Sequence, residues 1–398
     1  MAVLDGQNGA YLKVAALTWL GLTLLCIAIC VFADPYRLFG TSPVRGLTLL
    51  KPRIYQQLVM AKTVQLDRVR PRTLLLGNSR VENGFDPASP LWPAHMQPVF
   101  NAGLPGYDMF WAARMLDEAL SQGPVKTIVL QADFPDFLGR PVPADHERSV
   151  SDDERRLHVD RAGRVNGSRF TASLSDAAHA TLTLDALVDS LTTLTQQDAR
   201  FGVTMTPAGF NPLHQYELDV RQIGYAGLFA QKLAAYRSQL QHAFHPDFSH
   251  PERIEDFRYL QHILRTADKN DAKLIIFIPP YHAEFLQLIR DQGLWPEFEA
   301  WKRALVRAIA SEVAAKSSKS EVELVDFSGD NAFIQESVPQ KGDTRAMMRW
   351  YWEPGHFKSA LGNEVLKRLL TGHGQFGESL FLSSSANMAG TEARSARQ

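Results

Sequence analysis

The hydrophobic positions change character along the chain. From Val14 to Ala33 (VAALTWLGLTLLCIAICVFA) twenty residues pass without a charge, leaving no polar face. At 1.5 Å per residue such a run makes a helix of about 30 Å, the thickness of a bilayer's hydrocarbon core. Beyond it, short and almost wholly apolar runs alternate with helical patterns. Thr73–Leu76, Pro98–Asn101, Lys126–Ala132, Lys273–Pro280 and Glu321–Phe327 read as strands. Pro52–Arg70, Tyr107–Ser121, Trp295–Ala315 and Lys358–Leu370 read as helices. Strands apolar on both faces and separated by helices predict an α/β domain with a parallel sheet covered on both sides.

The alternation breaks between Phe134 and Asn270. Residues 145–164 carry six acidic and five basic side chains with little apolar content, the composition of a solvated loop. Leu182–Thr195 and Gly227–Ala243 read as helices around a Gly/Pro-rich stretch, FGVTMTPAGFNP. The expected organisation is a short tail (1–13), a membrane anchor (14–33), a connector (34–70) and an α/β domain (71–371). That domain holds a helical insertion at about 134–270, and residues 372–398, rich in Ser, Ala and Gly toward their end, are expected to be a disordered tail.

The chain has 398 residues, 42 Lys+Arg against 43 Asp+Glu and a formal charge of -1, without the basic surplus of a nucleic-acid coat. Its 2 cysteines, Cys26 and Cys30, both fall in the apolar run, where they read as small apolar fillers. The run exceeds the 7–15 apolar residues usual in a signal peptide, and Ala33-Asp34-Pro35 is a poor cleavage site, so an uncleaved anchor is expected. Lys13 precedes it, whereas Arg37, Arg45, Lys51 and Arg53 follow, and the positive-inside count places the domain in the cytoplasm.

Open α/β sheets collect ligands beyond the carboxyl ends of their strands. Gly77-Asn78-Ser79-Arg80 follows the first strand, Asn101-Ala102-Gly103-Leu104-Pro105-Gly106 the second, and Asp133 the third. Glu353-Pro354-Gly355-His356 precedes the last helix. A serine, a base, a carboxylate and a glycine-rich turn are the parts of nucleophilic acyl transfer. The Gly-x-Ser-x-Gly elbow of α/β-hydrolases is absent, because Val81 stands where its second glycine would be. His242, His245, Asp247 and His250 are ligand-type residues, but Pro246 breaks the helix that would align them, and no metal is assigned. Trp350, Tyr351 and Trp352 could stack on sugar rings or simply pack.

Leu-Gly-Asn-Ser-Arg around Ser79, Asn-Ala-Gly-Leu-Pro-Gly, Leu-Gln-Ala-Asp and Glu-Pro-Gly-His resemble the blocks of SGNH/GDSL-type hydrolases. The closer likeness is to the membrane-anchored bacterial branch near the alginate acetylation proteins and DltD-like proteins. Similar stretches include Asp34-Pro35-Tyr36, Asp326-Phe327-Ser328-Gly329 and residues 351–362. The resemblance implies an SGNH-hydrolase-like (flavodoxin-like) three-layer fold. It makes Ser79 the nucleophile, His356 the general base and Glu353 its orienting carboxylate, where the family has Asp. Ser79 and Gly106 become oxyanion donors through their N–H groups. Asp133 occupies the third donor position, where the family offers Asn and an ionised carboxylate would repel the oxyanion. Asn78 and Asn101 are alternative donors, and Asn78, Arg80, Asn101 and Trp352 are the expected substrate contacts.

The expected function is acyl-ester hydrolysis or O-acyl transfer on an exported polysaccharide or cell-envelope glycan. The domain is expected in the periplasm on an inner-membrane anchor, without a cofactor and with a membrane-bound O-acyltransferase as partner. The rivals are a catalytically degenerate scaffold or glycan-binding protein, and a hydrolase facing the cytoplasm.

Overall fold

A computed structural model describes residues 2–139, 148–198, 204–315 and 320–383 of the protein. The N-terminal half contains α1 (Ala2–Ala33), α2 (Leu58–Val69), β1 (Thr73–Leu76), α3 (Ser79–Gly84), β2 (Val99–Asn101), α4 (Met109–Gln122) and β3 (Thr127–Gln131). The middle of the chain is helical: α5 (Asp152–Arg155), α6 (Arg169–Leu182), α7 (Leu184–Thr195), α8 (Tyr216–Gln241) and α9 (Glu255–Lys269). The sheet resumes with β4 (Lys273–Ile278), α10 (Ala283–Asp291), α11 (Trp295–Ala314) and β5 (Val322–Asp326). The hairpin β6 (Tyr351–Glu353) and β7 (His356–Phe357), helix α12 (Ser359–Thr371) and β8 (Glu378–Leu382) follow.

Six strands form one sheet in the order β2-β1-β3-β4-β5-β8. The first five run parallel, with Leu74 opposite both Phe100 and Ile128. This is the doubly wound 2-1-3-4-5 order, whose switch point lies between β1 and β3. Alternation along the strands divides the core. Leu74, Leu76, Ile128, Leu130, Leu274 and Ile276 pack into the layer holding α4, α9 and α11. Leu75, Val129, Ile275 and Phe277 pack into the layer holding α3 and α12. Period-two alternation with both faces apolar is why these strands read as continuous apolar runs.

Three sequence expectations change. Residues 378–382, assigned to the tail, pair antiparallel with β5 and extend the sheet; residues 384–398 of that tail lie outside the described residues. Helix α9, assigned to the insertion, buries Phe257, Leu260, Ile263 and Leu264 in the core and is the ordinary crossover before β4. The charged segment is no simple solvated loop, although residues 140–147 lie outside the described residues. Arg148 pairs with Glu255 and Asp108, Arg161 pairs with Glu154, and Leu157 is buried.

Helix α1 is long and apolar enough to cross a membrane. Leu12, Leu17, Trp19 and Leu24 stand exposed along it, whereas Cys30 and Ala33 at its end are buried. The Lys51 ammonium donates to the Ala33 carbonyl at 2.6 Å, a cation placed on the helix's C-terminal carbonyls. Burial pushes that ammonium down to about 8, against the favourable charge of Asp34.

Candidate active site

The turn after β1 carries Ser79 to the switch point. Asn78 is the N-cap of α3, its Oδ1 accepting from the Arg80 N–H at 3.1 Å. Gly77 lets the turn pass close to β3, for a Cβ there would sit 2.5 Å from Gln131 Oε1 and 2.6 Å from Val81 Cγ2. The Gln131 side chain then accepts from the Asn78 N–H at 3.2 Å. Ser79, as the first residue of the helix, has no intrahelical acceptor for its N–H.

Far along the chain, Pro354 and Gly355 form the two-residue turn of the β6–β7 hairpin, and Glu353 pairs with His356 across it. Residues opposite each other across a hairpin present their side chains on one face. Glu353 Oε1 bonds His356 Nδ1, and the other carboxylate oxygen accepts from the Gly355 N–H at 3.0 Å. Tyr236, from the inserted helix α8, donates to Glu353 Oε1 at 3.3 Å. Burial pushes the Glu353 carboxyl up, but His356, the Gly355 N–H and Arg80 outweigh it and hold the group below its ordinary value.

His356 Nε2 lies 2.6 Å from Ser79 Oγ. A serine, a histidine and a buried carboxylate are thus joined in one hydrogen-bonded row, with Ser79 and His356 half-buried and Glu353 fully buried. A nucleophile within hydrogen-bond reach of a base, itself oriented by an acid, is the arrangement required for proton transfer on attack.

The other expected residues divide. Gly106 sits in an exposed turn at φ +77°, a left-handed conformation that favours glycine, and nothing among the described residues accepts from its N–H. Asp133 is not an oxyanion donor. Its carboxylate accepts from Arg80, from Tyr281 and, at 2.6 Å, from Asn78 Nδ2, so every partner is donating to it. Arg80 also lies over the Tyr281 and Phe285 rings, 5.3 and 5.5 Å from their centroids. Burial pulls the guanidinium down, but Asp133, Tyr236, Tyr281 and Asp136 hold it above its ordinary value.

Arg80, Asn78 and Asn101 are therefore corrected as substrate contacts, because all three turn inward. Asn78 Nδ2 also reaches Asp136 Oδ2 at 3.2 Å. Burial, with Asp133 and Asp256 nearby, raises Asp136 well above its ordinary value. Asn101 donates to the Val81 and Phe85 carbonyls, each at 2.8 Å, and accepts from the Gly103 N–H at 3.0 Å. Its amide organises the glycine-rich loop from beneath. Trp352 is also corrected: it is buried between the Tyr216 ring and the Lys358 ammonium, 4.1 Å from the Trp352 ring centroid. Tyr351 is buried with its hydroxyl on the Pro280 carbonyl, and Trp350 packs on Phe333.

Several contributors were not anticipated. Tyr236 comes from α8 and Tyr281 from the loop between β4 and α10, both distant in sequence from Ser79. Lys62, fully buried, pairs with Glu82 at 2.9 Å and donates to the Gly103 and Gly209 carbonyls, tying α2 to the loop. Burial lowers its pKa against the opposing pull of Glu82. The only sequence signal was a lysine amid the buried face of α2.

The four ligand-type residues of the HAFHPDFSH stretch do not converge. His242 bonds the Ser238 carbonyl, His245 faces Glu297, His250 faces Glu252, and Asp247 accepts from the Ser249 N–H. Asp67, Glu118 and His158 instead bring ligand-type atoms within 4.8 Å of one another. His158 bonds Glu118 through its N–H at 2.7 Å and through Nδ1 at 2.6 Å, and Arg169 donates to Asp67 at 2.7 Å. These contacts join the inserted segment to α2 and α4.

Neither a protein-family model nor a curated protein matches this sequence.

Proposed function

We propose that the protein is a membrane-anchored, SGNH-like serine enzyme that hydrolyses or transfers an acyl ester on an exported polysaccharide or cell-envelope glycan. The observation that carries this reading is the Ser79–His356 contact of 2.6 Å, with Glu353 bonded to the far nitrogen of the same ring. Ser79 Oγ attacks the acyl carbonyl while His356 Nε2 takes its proton. Glu353 holds the Nδ1 proton and stabilises the imidazolium that forms. The Ser79 and Gly106 N–H groups supply the oxyanion donors. Collapse expels the sugar oxygen, which recovers the proton from His356 and leaves an acyl-Ser79 ester. Water or a second sugar hydroxyl then attacks that ester with His356 again as base.

The acyl class rests on the triad. The glycan substrate, the periplasmic side of an inner membrane and a membrane-bound O-acyltransferase partner rest on the anchor and the motif resemblance. Ser79→Ala is expected to lower turnover of p-nitrophenyl acetate by about 10³-fold or more and to abolish labelling by a fluorophosphonate probe. Equal turnover and labelling in both proteins would end the catalytic reading.

One observation favours a second reading. Asp133 donates nothing to an oxyanion, and losing one such donor typically costs about 10²–10³ in rate. A scaffold or glycan-binding role then predicts glycan retention without acyl loss, unchanged by His356→Ala.

A further inference from the structure

Helix α7 is patterned inside out. Its inward face consists of Ala186, Asp189, Ser190 and Thr193, whereas Leu184, Val188 and Leu191 face outward. A surface helix in water buries its apolar stripe and shows its polar one, so α7 reverses the expected order. Helix α6 behaves alike: Asp176 and Ala180 are buried, and Phe170, Leu174 and Leu182 are exposed. Phe170 is 77% exposed and Leu184 75% exposed, values that large apolar side chains rarely hold as a group facing water. Leu182 and Leu184 flank Thr183, which ends α6 and caps α7 by accepting from the Ala186 N–H at 3.1 Å.

The location of this face narrows what covers it. Both helices pack against α1. The Tyr36 hydroxyl donates to Asp189 at 2.6 Å, and the Cys30 thiol meets the Ser190 hydroxyl. Ala180 packs with Tyr36 and Met60. Cys30 lies three residues inside the end of the apolar helix at Ala33, a depth of about 4.5 Å along its axis. Interfacial helices bury their apolar face about 5–10 Å into the headgroup and acyl boundary. Gln197 also bonds both the N–H and the carbonyl of Leu50, each at 3.0 Å. That contact brings the exposed Val44, Leu47 and Leu49 of the connector beside α7.

We propose that the α6–α7 hairpin, with the connector residues 44–49, is an interfacial membrane-binding collar whose outward leucine, valine and phenylalanine side chains enter the lipid around the base of α1. This rests on the reading of α1 as an anchor. The occupant is lipid because the apolar face is continuous with the segment that meets lipid and lies at the depth where that segment leaves it. The small and polar inward face, otherwise unsuited to a core, is matched to Tyr36, Cys30 and Arg53 at the end of α1 and in the connector; Arg53 lies 3.6 Å from Asp189. The collar also sets how the domain stands on the bilayer, since a single helix with a free connector would leave it to tumble.

The test uses the full-length chain in phosphatidylcholine–phosphatidylglycerol vesicles, in a Cys26→Ala, Cys30→Ala background. Single cysteines at Leu174, Leu184 and Val188 are spin-labelled, with Leu20→Cys as the anchor reference and the exposed Glu252→Cys as the aqueous reference. Collision with oxygen and with a nickel chelate is then measured by power saturation. The expected result is an oxygen-to-nickel collision ratio at Leu184→Cys and Val188→Cys several-fold above that of Glu252→Cys and close to that of Leu20→Cys. An aqueous ratio at all three hairpin sites, with Leu20→Cys in lipid, would overturn the collar and leave the anchor standing. Labels shielded from both reagents would overturn it in favour of a second copy or another protein chain. An aqueous ratio at Leu20→Cys would overturn the anchor reading and the collar together. The labelled side chains point outward, and Cys30→Ala removes a buried thiol, so thermal unfolding of each labelled protein matching that of the unlabelled Cys26→Ala, Cys30→Ala parent, and of that parent matching the natural sequence, serves as the folding control.

Discussion

Asp133 is the residue that fits the proposed acyl transfer least, and Arg80, next to Ser79, is its ion-pair partner. Arg80 is buried against Asp133, with Tyr281 and Asn78 donating to the remaining oxygen sites. In the proposed reaction a developing oxyanion would therefore meet an Arg80–Asp133 pair rather than a lone carboxylate. Breaking a buried pair from one side leaves an uncompensated charge and typically costs about 3–5 kcal/mol. Asp133→Asn is accordingly expected to destabilise the protein by that order in denaturant unfolding, even though it restores the residue type of the resembled family. An unchanged midpoint would show that Arg80 does not depend on Asp133. The pairing was hidden from the sequence because it joins the turn after β1 to the end of β3. By contrast, Glu353 and His356 were legible as a Glu-Pro-Gly-His block, and the structure supplies the reason the block works as a unit, since a two-residue turn brings residues three apart onto one face.

At the scale of elements, the first turn of α9 meets the start of α4. Asp256 Oδ1 accepts from the Met109 N–H at 3.3 Å, placing a carboxyl at the helix N-terminus. Burial and the neighbouring Asp108 nevertheless push Asp256 up to about 7, with the Met109 N–H and Arg148 pulling the other way and Glu255 adding to the rise. The folded state then holds a proton that the unfolded chain, with a carboxyl near its ordinary value, has lost. Stability therefore falls as pH rises from about 4 to about 7 and levels off above. Asp256→Asn removes this term while keeping an acceptor for Met109. Between pH 5 and pH 8 the parent should lose about 2–3 kcal/mol more than the variant, read as the difference in unfolding midpoints. Parallel slopes would show that Asp256 does not hold the proton.

For the whole molecule, the orientation of the proposed anchor decides which substrates the domain can meet. Arg37, Arg45, Lys51 and Arg53 after α1 count toward a cytoplasmic domain. Lys51 and Arg37 are buried, however; Lys51 caps the end of α1, and the Arg37 guanidinium donates to the Leu49 carbonyl at 3.4 Å. Two of the four charges thus have a folded-state reason to be where they are, independent of topology. Alkaline phosphatase fused after Arg70 is expected to be active, as it must be if the glycan reading holds. An inactive fusion, with stable expression, would place the domain in the cytoplasm and remove exported glycan as its substrate.

The sequence by itself determined what local pattern can carry. An uncharged run has the length of a bilayer, apolar runs of strand length alternate with helices, and a Pro-Gly pair stands between an acid and a histidine. These follow from periodicity and turn chemistry within a few residues. The tertiary structure alone decided which polar side chains line the Ser79–His356 row and which turn inward. Asn78, Arg80 and Asn101 sit at strand ends as a site would require, yet their partners come from β3, from α3 and from the residues that follow them. It also decided that residues 378–382 close the sheet edge. Helices α6 and α7 turn their leucines outward for a similar reason, because burial depends on what lies alongside a helix, and here that neighbour is the end of α1.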